Sequence, residues 1–371
     1  MTSVSIVHDY LTQRGGGERL VLSMLKAFPD APLYTSLYLP DGTFPEFRWA
    51  DVRPLSLDRF GVLRRHHRLA LPLLAQAFSR LVVGSDVVLC SSSGWAHGVR
   101  STGRKIVYCH TPAHWLYQKD RYLGGRHRLA GAVISVLGPG LREWDYRAAR
   151  SADLYLTQAT SVRDQIRLIY GIDANVVPGP YRLTTDHPAT PVQGLRPGYF
   201  LCVSRLLPYK NVDAIVRAFA DLPDATLVVA GGGPESRRLV KMASANVRLV
   251  GTVSDDQLAW LYANCAGVIA AAYEDYGLTP IEAAAFGKSA AVLRWGGFLD
   301  TVVEAETGTF FDAPAPAQVR SAVRRLQAFG LDSNAIRAHA ARYSEDRFIR
   351  RLRELVLGRS APAIMEAGRV G

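Results

Sequence analysis

Short apolar runs bounded by Gly, Pro, Asp or Ser punctuate the chain at 4–8, 32–37, 86–90, 105–108, 153–156 and 175–177. They return at 199–203, 226–230, 247–250 and 266–272. Between them apolar residues recur at helical spacing, as in Leu20, Val21, Met24, Leu25 and Phe28 and across 212–219. Strands alternating with helices predict parallel, doubly wound α/β sheets. A last helix over 346–357 is amphipathic and strongly basic.

At 371 residues the chain exceeds one comfortable core, so two domains are expected. Pro178-Gly179-Pro180 and the polar, proline-rich stretch to Pro197 read as the linker, dividing residues 1–182 from 183–345.

Charge separates the halves. Residues 1–182 hold 23 Lys and Arg against 14 Asp and Glu, whereas 183–371 hold 21 against 19. A basic half beside a near-neutral one predicts an anionic partner or surface for the first domain. Scattered charge and the absence of a nucleic-acid motif argue against nucleic acid, despite a pI near 9.6.

Four cysteines (Cys90, Cys109, Cys202 and Cys265) lie near strand ends without metal-ligand spacing, as reduced core residues would. The first residues run directly into a strand, so no signal peptide is expected and the reading is cytoplasmic. No apolar run reaches a membrane span: 69–83 is broken by Pro72, Gln76 and Arg80, and 129–141 by Gly138-Pro139-Gly140. Within 57–83, Arg64-Arg65-His66-His67-Arg68 adjoins a leucine run. A solvated face over a core helix is the favoured reading there. Peripheral contact with an anionic membrane, on the inner face of the cell membrane, is the second.

Candidate chemistry clusters at strand ends. Residues 273–287, YEDYGLTPIEAAAFG, follow the apolar run 266–272 and open a helix. Thr279 is the expected N-cap, Pro280 the first helical residue and Glu282 the capping-box glutamate, with Gly287 as the stop. A helix N-terminus delivered by a strand suits an anion. Glu274 on the loop would repel a phosphate, so a sugar hydroxyl is its better partner. A phosphorylated sugar is the candidate ligand.

Elsewhere, Gly15-Gly16-Gly17 follows the first strand and precedes a helix expected near Glu18. Such a turn lets backbone approach a phosphate, or is simply flexible. It is neither a Walker loop nor a complete dinucleotide fingerprint. Gly231-Gly232-Gly233 repeats the pattern. Arg205 and Lys210 flank a turn opening onto a helix, where both cations can converge on a diphosphate. His110 ends the strand starting at Lys105, the side of an open α/β sheet where ligands bind. Trp115, Tyr117 and Tyr122 follow, to stack on a sugar or pack a face.

In this order and spacing the chain resembles the GT-B glycosyltransferases, specifically the retaining family 4, over nearly its whole length. Glu274-x7-Glu282 carries most of the likeness, supported by Ser204-Arg205 with Lys210-Asn211, by Gly231 to Glu235 and by Gly15 to Gly17. The HDYL and GGGER segments and Tyr108-Cys109-His110-Thr111-Pro112 look like the branch of bacterial polysaccharide mannosyltransferases.

The resemblance implies two Rossmann-like domains facing across a cleft, with the final helix (346–358) packing back on the first. The second domain would hold a nucleotide-sugar, best GDP-mannose. The first would hold a glycan or polyprenyl-diphosphate-linked lipid acceptor.

It further implies that Glu282 binds the ribose and Glu274 the transferred sugar. Arg205 and Lys210 would neutralise the diphosphate, so that no metal or other cofactor is needed. His110 would position the donor sugar, Gly15, Gly16 and Gly17 would approach its phosphate, and the backbone at Val253 would read the base. Gly231, Gly232, Tyr276, Gly277, Leu278 and Thr279 would complete the nucleotide-sugar site.

Two departures stand out. Pro178-Gly179-Pro180-Tyr181 replaces the usual hinge, and Asp300 stands where the family has glutamate after Gly296-Gly297. The alternatives are a UDP-sugar donor with the same chemistry, or a non-catalytic two-domain sugar-binding protein. A dinucleotide oxidoreductase fails at Ser236, where the fingerprint needs glycine.

Overall fold

A computed structural model describes residues 2–66, 70–117 and 128–358. The segment His67-Arg68-Leu69, Tyr122 and the side chain of Trp115 lie outside the described residues. The chain forms two compact units. The first comprises residues up to Thr157, Gln165–Val177 and the C-terminal helix from Asp346. The second comprises Gln158–Asp164 and Pro178–Glu345. The crossover falls at Val177/Pro178, a few residues before the expected one. There Tyr181 N–H donates to the Tyr343 carbonyl (3.2 Å), committing the linker to the second unit.

The first unit is built on β1 (Val4–His8), β2 (Leu33–Thr35), β3 (Val52–Pro54), β4 (Val87–Ser92), β5 (Arg104–Cys109), β6 (Leu154–Thr157) and β7 (Asn175–Val176). All pairs are parallel, in the order β3-β2-β1-β4-β5-β6-β7. Every residue of β4 and five of six in β5 are buried, as expected of parallel strands covered on both faces. Helix α1 (Gly16–Ala27) starts two residues before its expected position, with Gly15 as its cap.

The helix over Arg128–Arg150 continues through Pro139, so the Gly-Pro-Gly segment interrupts the apolar run but not the helix. No described helix is long and apolar enough to cross a membrane.

The second unit has β8 (Phe200–Val203), β9 (Leu227–Ala230), β10 (Val247–Gly251), β11 (Gly267–Ala270), β12 (Ala290–Leu293) and β13 (Gly308–Phe311). They are parallel, in the order β10-β9-β8-β11-β12-β13. The direction of winding reverses between β8 and β11. At such a switch point the loops leave in opposite directions and open a crevice at the carboxyl ends of the strands. Helices α2 (Val212–Ala220) and α3 (Leu278–Ala285) start from those two strands.

The C-terminal helix α4 (Glu345–Leu357) buries Phe348, Leu352 and Val356, one stripe at a four-residue spacing, in the core of the first unit. Arg347 and Arg350 are exposed, Arg351 pairs with Glu354 (3.2 Å), and Arg353 Nε donates to the Ala27 carbonyl (2.8 Å). Arg104 of β5 donates to the Leu355 carbonyl (3.0 Å) near the end of α4. A cation at this end complements the helix dipole.

Candidate active site

The second unit's crevice is lined by Ser204 and Lys210 after β8, by Ala271, Ala272, Glu274 and Tyr276 after β11, and by Leu278, Thr279 and Phe298. It encloses about 410 Å³, including the part open to solvent. Asn211 sets its geometry. Its backbone is left-handed (φ 52°), which Asn tolerates because its short polar side chain bonds locally. Its side-chain amide donates to the carbonyls of Ala271 (2.9 Å) and Tyr209 (3.3 Å), tying the β8 loop to the end of β11. Lys210 is thereby held buried against the crevice, where its ammonium donates to the Glu274 carboxylate.

The two cations expected on a diphosphate are placed differently. Lys210 lines the crevice; Arg205 is exposed and is not among its walls. Both meet Tyr209: Arg205 donates to its hydroxyl (3.3 Å), and the Lys210 ammonium lies 5.0 Å from its ring centre. Sequence reasoning gave Tyr209 no role. Its place between two cations in one turn was the available signal.

The capping-box assignment is corrected. Helix α3 begins at Leu278 with Gly277 as N-cap and no side-chain cap, so Thr279 and Pro280 lie inside the first turn. Gly277 allows this early start because its backbone packs against Thr301 and Phe298; a Cβ there would sit 2.4 Å from the Thr301 hydroxyl. Glu282 is buried a turn further in, beyond the N3 position of a capping box, and accepts from the Tyr262 phenol (2.9 Å). Gly287 does close the helix, with φ 72°.

The Glu274 loop rests on the next turn. Gly297 N–H donates to the Glu274 carbonyl (2.9 Å), and a Cβ on Gly297 would fall 2.4 Å from the Tyr276 Cα. Tyr276 donates from its phenol to the Gly179 carbonyl, linking this loop to the linker. Asp300 accepts from the Thr160 N–H (2.8 Å) and hydroxyl (2.6 Å) and so caps the helix starting there.

Gly231 and Gly232 lie against 204–206, with Leu206 N–H donating to the Gly232 carbonyl (2.8 Å). Val253 is half-buried just before the helix capped by Ser254. Cys202 lines the crevice, but burial pushes its thiol up to about 12 and keeps it neutral. Among the described residues no group of three or more His, Cys, Asp or Glu side chains is placed to hold a metal ion.

In the first unit the structure brings His110 together with the glycine loop. A Cβ on Gly17 would lie 3.6 Å from both His110 Nε2 and His8 Cε1. Gly15 packs over Glu18, whose carboxylate a Cβ would approach to 2.5 Å. Burial pushes the Glu18 carboxyl up to about 7. Asp9, beside His8, accepts from the N–H groups of Ser93 (2.7 Å) and Ala96 (2.6 Å), and its burial also raises its pKa.

Residues 187–345 match the family model for glycosyl transferases group 1. A glycogen synthase of Mycobacterium tuberculosis is 28% identical over 242 residues, covering 60% of this chain and 56% of that protein. A GDP-mannose-dependent alpha-(1-6)-phosphatidylinositol monomannoside mannosyltransferase of Mycolicibacterium smegmatis is 27% identical over 230 residues, covering 54% and 59%. The chain thus spans somewhat over half the length of these relatives. Anabaena HepE, solved with UDP and glucose, superposes with a TM-score of 0.71 over 97% of this chain and all of that one, at 15% identity. The fold is GT-B, two Rossmann-like α/β domains.

Proposed function

We propose that the protein is a retaining, metal-independent glycosyltransferase of family 4 type. It would move a sugar from a nucleotide-diphosphate sugar to a hydroxyl of a glycan or lipid-linked acceptor in cell-surface polysaccharide or glycolipid assembly. The carrying observation is the crevice at the β8/β11 switch point, where a buried Lys210, the Glu274 carboxylate and the N-terminus of α3 converge within the part of the chain that matches the glycosyltransferase family. Breaking a glycosyl–phosphate bond builds negative charge on the diphosphate. A fixed ammonium and a helix N-terminus stabilise that charge without having to reorganise. Glu274 is the group for a sugar hydroxyl, and Glu282 for the ribose.

GDP-mannose is the preferred donor, in keeping with the mannosyltransferase named among the relatives. A UDP-sugar is the second reading, favoured by the UDP and glucose held by HepE on the same fold. Incubation with either donor and a polyprenyl-diphosphate-linked sugar, in the presence of a chelator, tests the proposal. An α-linked product by proton NMR is expected. A β-linked product contradicts retention, and a requirement for divalent metal contradicts metal independence.

The acceptor reading extends to a cytoplasmic protein peripheral to the membrane. Phe60, Val62 and Leu73 are exposed in the stretch that also carries Arg64 and Arg65. Flotation with anionic liposomes and not with neutral ones is expected; equal or absent binding contradicts it.

A further inference from the structure

His8, Ser91 and His110 stand at the carboxyl ends of three adjacent strands. His8 is the register partner of Ser91 across β1 and β4, and His110 N–H donates to the Ser92 carbonyl just beyond β5 (2.9 Å). All three side chains are buried. His8 Nδ1 lies 3.2 Å from the Ser91 carbonyl oxygen and 3.0 Å from the Ser91 hydroxyl. The hydroxyl in turn lies 2.8 Å from His110 Nε2.

The chemistry of these atoms fixes the direction of the chain. A carbonyl only accepts, so the hydrogen on that side belongs to His8 Nδ1. The Ser91 hydroxyl receives that same N–H and passes its own proton on to His110 Nε2. Burial, with His110 beside it, pushes His8 down to about 3, so its ring is neutral; the carbonyl contact assigns its one hydrogen to Nδ1.

We propose that Ser91 and His8 are positioning residues which hold His110 as the neutral imidazole with its hydrogen on Nδ1. The relay runs His8 Nδ1–H to Ser91 Oγ–H to His110 Nε2. In this form His110 carries one N–H donor, on Nδ1, and no positive charge. It orients a hydroxyl and does not act as a general acid. Protonating Nε2 would set two ring N–H groups against one hydroxyl oxygen and turn the Ser91 proton away from its acceptor.

What His110 touches rests on the glycosyltransferase reading; the relay itself does not. The test is a long-range proton–nitrogen correlation of the histidine rings in 15N-labelled full-length protein without ligand. The expected pattern is a protonated Nδ1 and a bare Nε2 on His110. Ser91→Ala should shift that ring toward the Nε2–H tautomer. His8→Asn, whose amide N–H replaces Nδ1–H, should keep the wild-type pattern, whereas His8→Leu should lose it. This pair also serves if Ser91→Ala fails to fold. An Nε2–H ring in the wild type, or a pattern unchanged in both Ser91→Ala and His8→Leu, overturns the proposal.

In transfer assays kcat for Ser91→Ala should fall on the order of 10-fold, from misplacement of one contact, with the donor KM held within about twofold. A drop confined to KM contradicts a positioning role. The expected NMR pattern together with no transfer from any nucleotide-sugar would count against the proposed function and leave the relay standing.

Discussion

Lys210 donates from its ammonium to the carboxylate of Glu274 within the crevice at the ends of β8 and β11. Lys210 is 6% exposed, and the Glu274 side chain is one-third exposed. The cation proposed for the diphosphate is thus paired with the carboxylate proposed for the sugar. On the proposed function a diphosphate would compete with Glu274 for the ammonium, and a sugar hydroxyl would give the displaced carboxylate a new partner.

Glu274→Ala should therefore bind a nucleoside diphosphate as tightly as the wild type or more so, while losing transfer. Lys210→Ala should lower turnover about 10²–10³-fold, as for one lost donor at a developing oxyanion. Titration calorimetry and steady-state rates check both. Wild-type turnover in Lys210→Ala would refute the assignment.

Two glycines should behave oppositely. Gly231 has φ 134°, and a Cβ on it would lie 1.9 Å from the Ser204 carbonyl oxygen, backbone that cannot yield cheaply. Gly231→Ala is expected to lower the melting temperature and weaken nucleotide binding. Gly17 lies within α1, and its Cβ would meet His8 and His110 at an ordinary 3.6 Å. Gly17→Ala should keep or raise stability, by about 0.5–1 kcal/mol for Ala over Gly inside a helix. Scanning calorimetry of both decides; equal melting temperatures would contradict the packing argument.

Glu18 and His8 should tilt stability with pH in opposite directions. Burial raises Glu18 from 4.5 to about 7, so between those values the native state keeps a proton that the unfolded chain has lost. Stability from Glu18 therefore falls as pH rises through that window, by at most ~3 kcal/mol. His8 is lowered from 6.5 to about 3, so the unfolded chain binds the extra proton and stability rises with pH over that range. Urea unfolding from pH 4 to 8 should show Glu18→Gln relieved of the loss toward neutral pH. His8→Asn should be relieved of the loss toward acid. Curves parallel to the wild type in both variants would contradict the burial of these groups.

Tyr262→Phe removes the phenol that donates to the buried Glu282. It should cost ~1–3 kcal/mol, the usual penalty for a buried acceptor that loses a donor. Nucleotide affinity should fall with it, because Glu282 is the proposed ribose ligand. Unchanged stability and affinity would show that Glu282 is held by other contacts.

Most of the strands were legible because parallel strands covered on both faces read as short apolar runs, and β8 to β11 fall within a residue or two of their expected ends. The glycine turns and the loop from Glu274 to Leu278 were legible from local chemistry. The N-cap of α3 was misplaced because Thr279-Pro280 satisfies the local rule, while the true start depends on Gly277 packing against Thr301 and Phe298, more than twenty residues away. The partner of Glu282 was hidden for a similar reason, since Tyr262 lies on a preceding helix. The His8–Ser91–His110 relay needs the strand order β1-β4-β5, which no local pattern reports. Arg205 was visible as a residue type, but its exposure depends on how the turn to Lys210 folds.

The central claim is that the crevice of Lys210, Glu274 and α3 binds the diphosphate of a nucleotide-sugar. Its most direct test is calorimetric titration of the full chain with GDP, UDP and ADP in chelator, followed by the matching nucleotide-sugars. Saturable binding of one diphosphate, weakened by Lys210→Ala, is the predicted result, with GDP the preferred base and GDP-mannose the sugar form to follow. Binding of none of the three, with a free sugar or a dinucleotide bound instead, would contradict it.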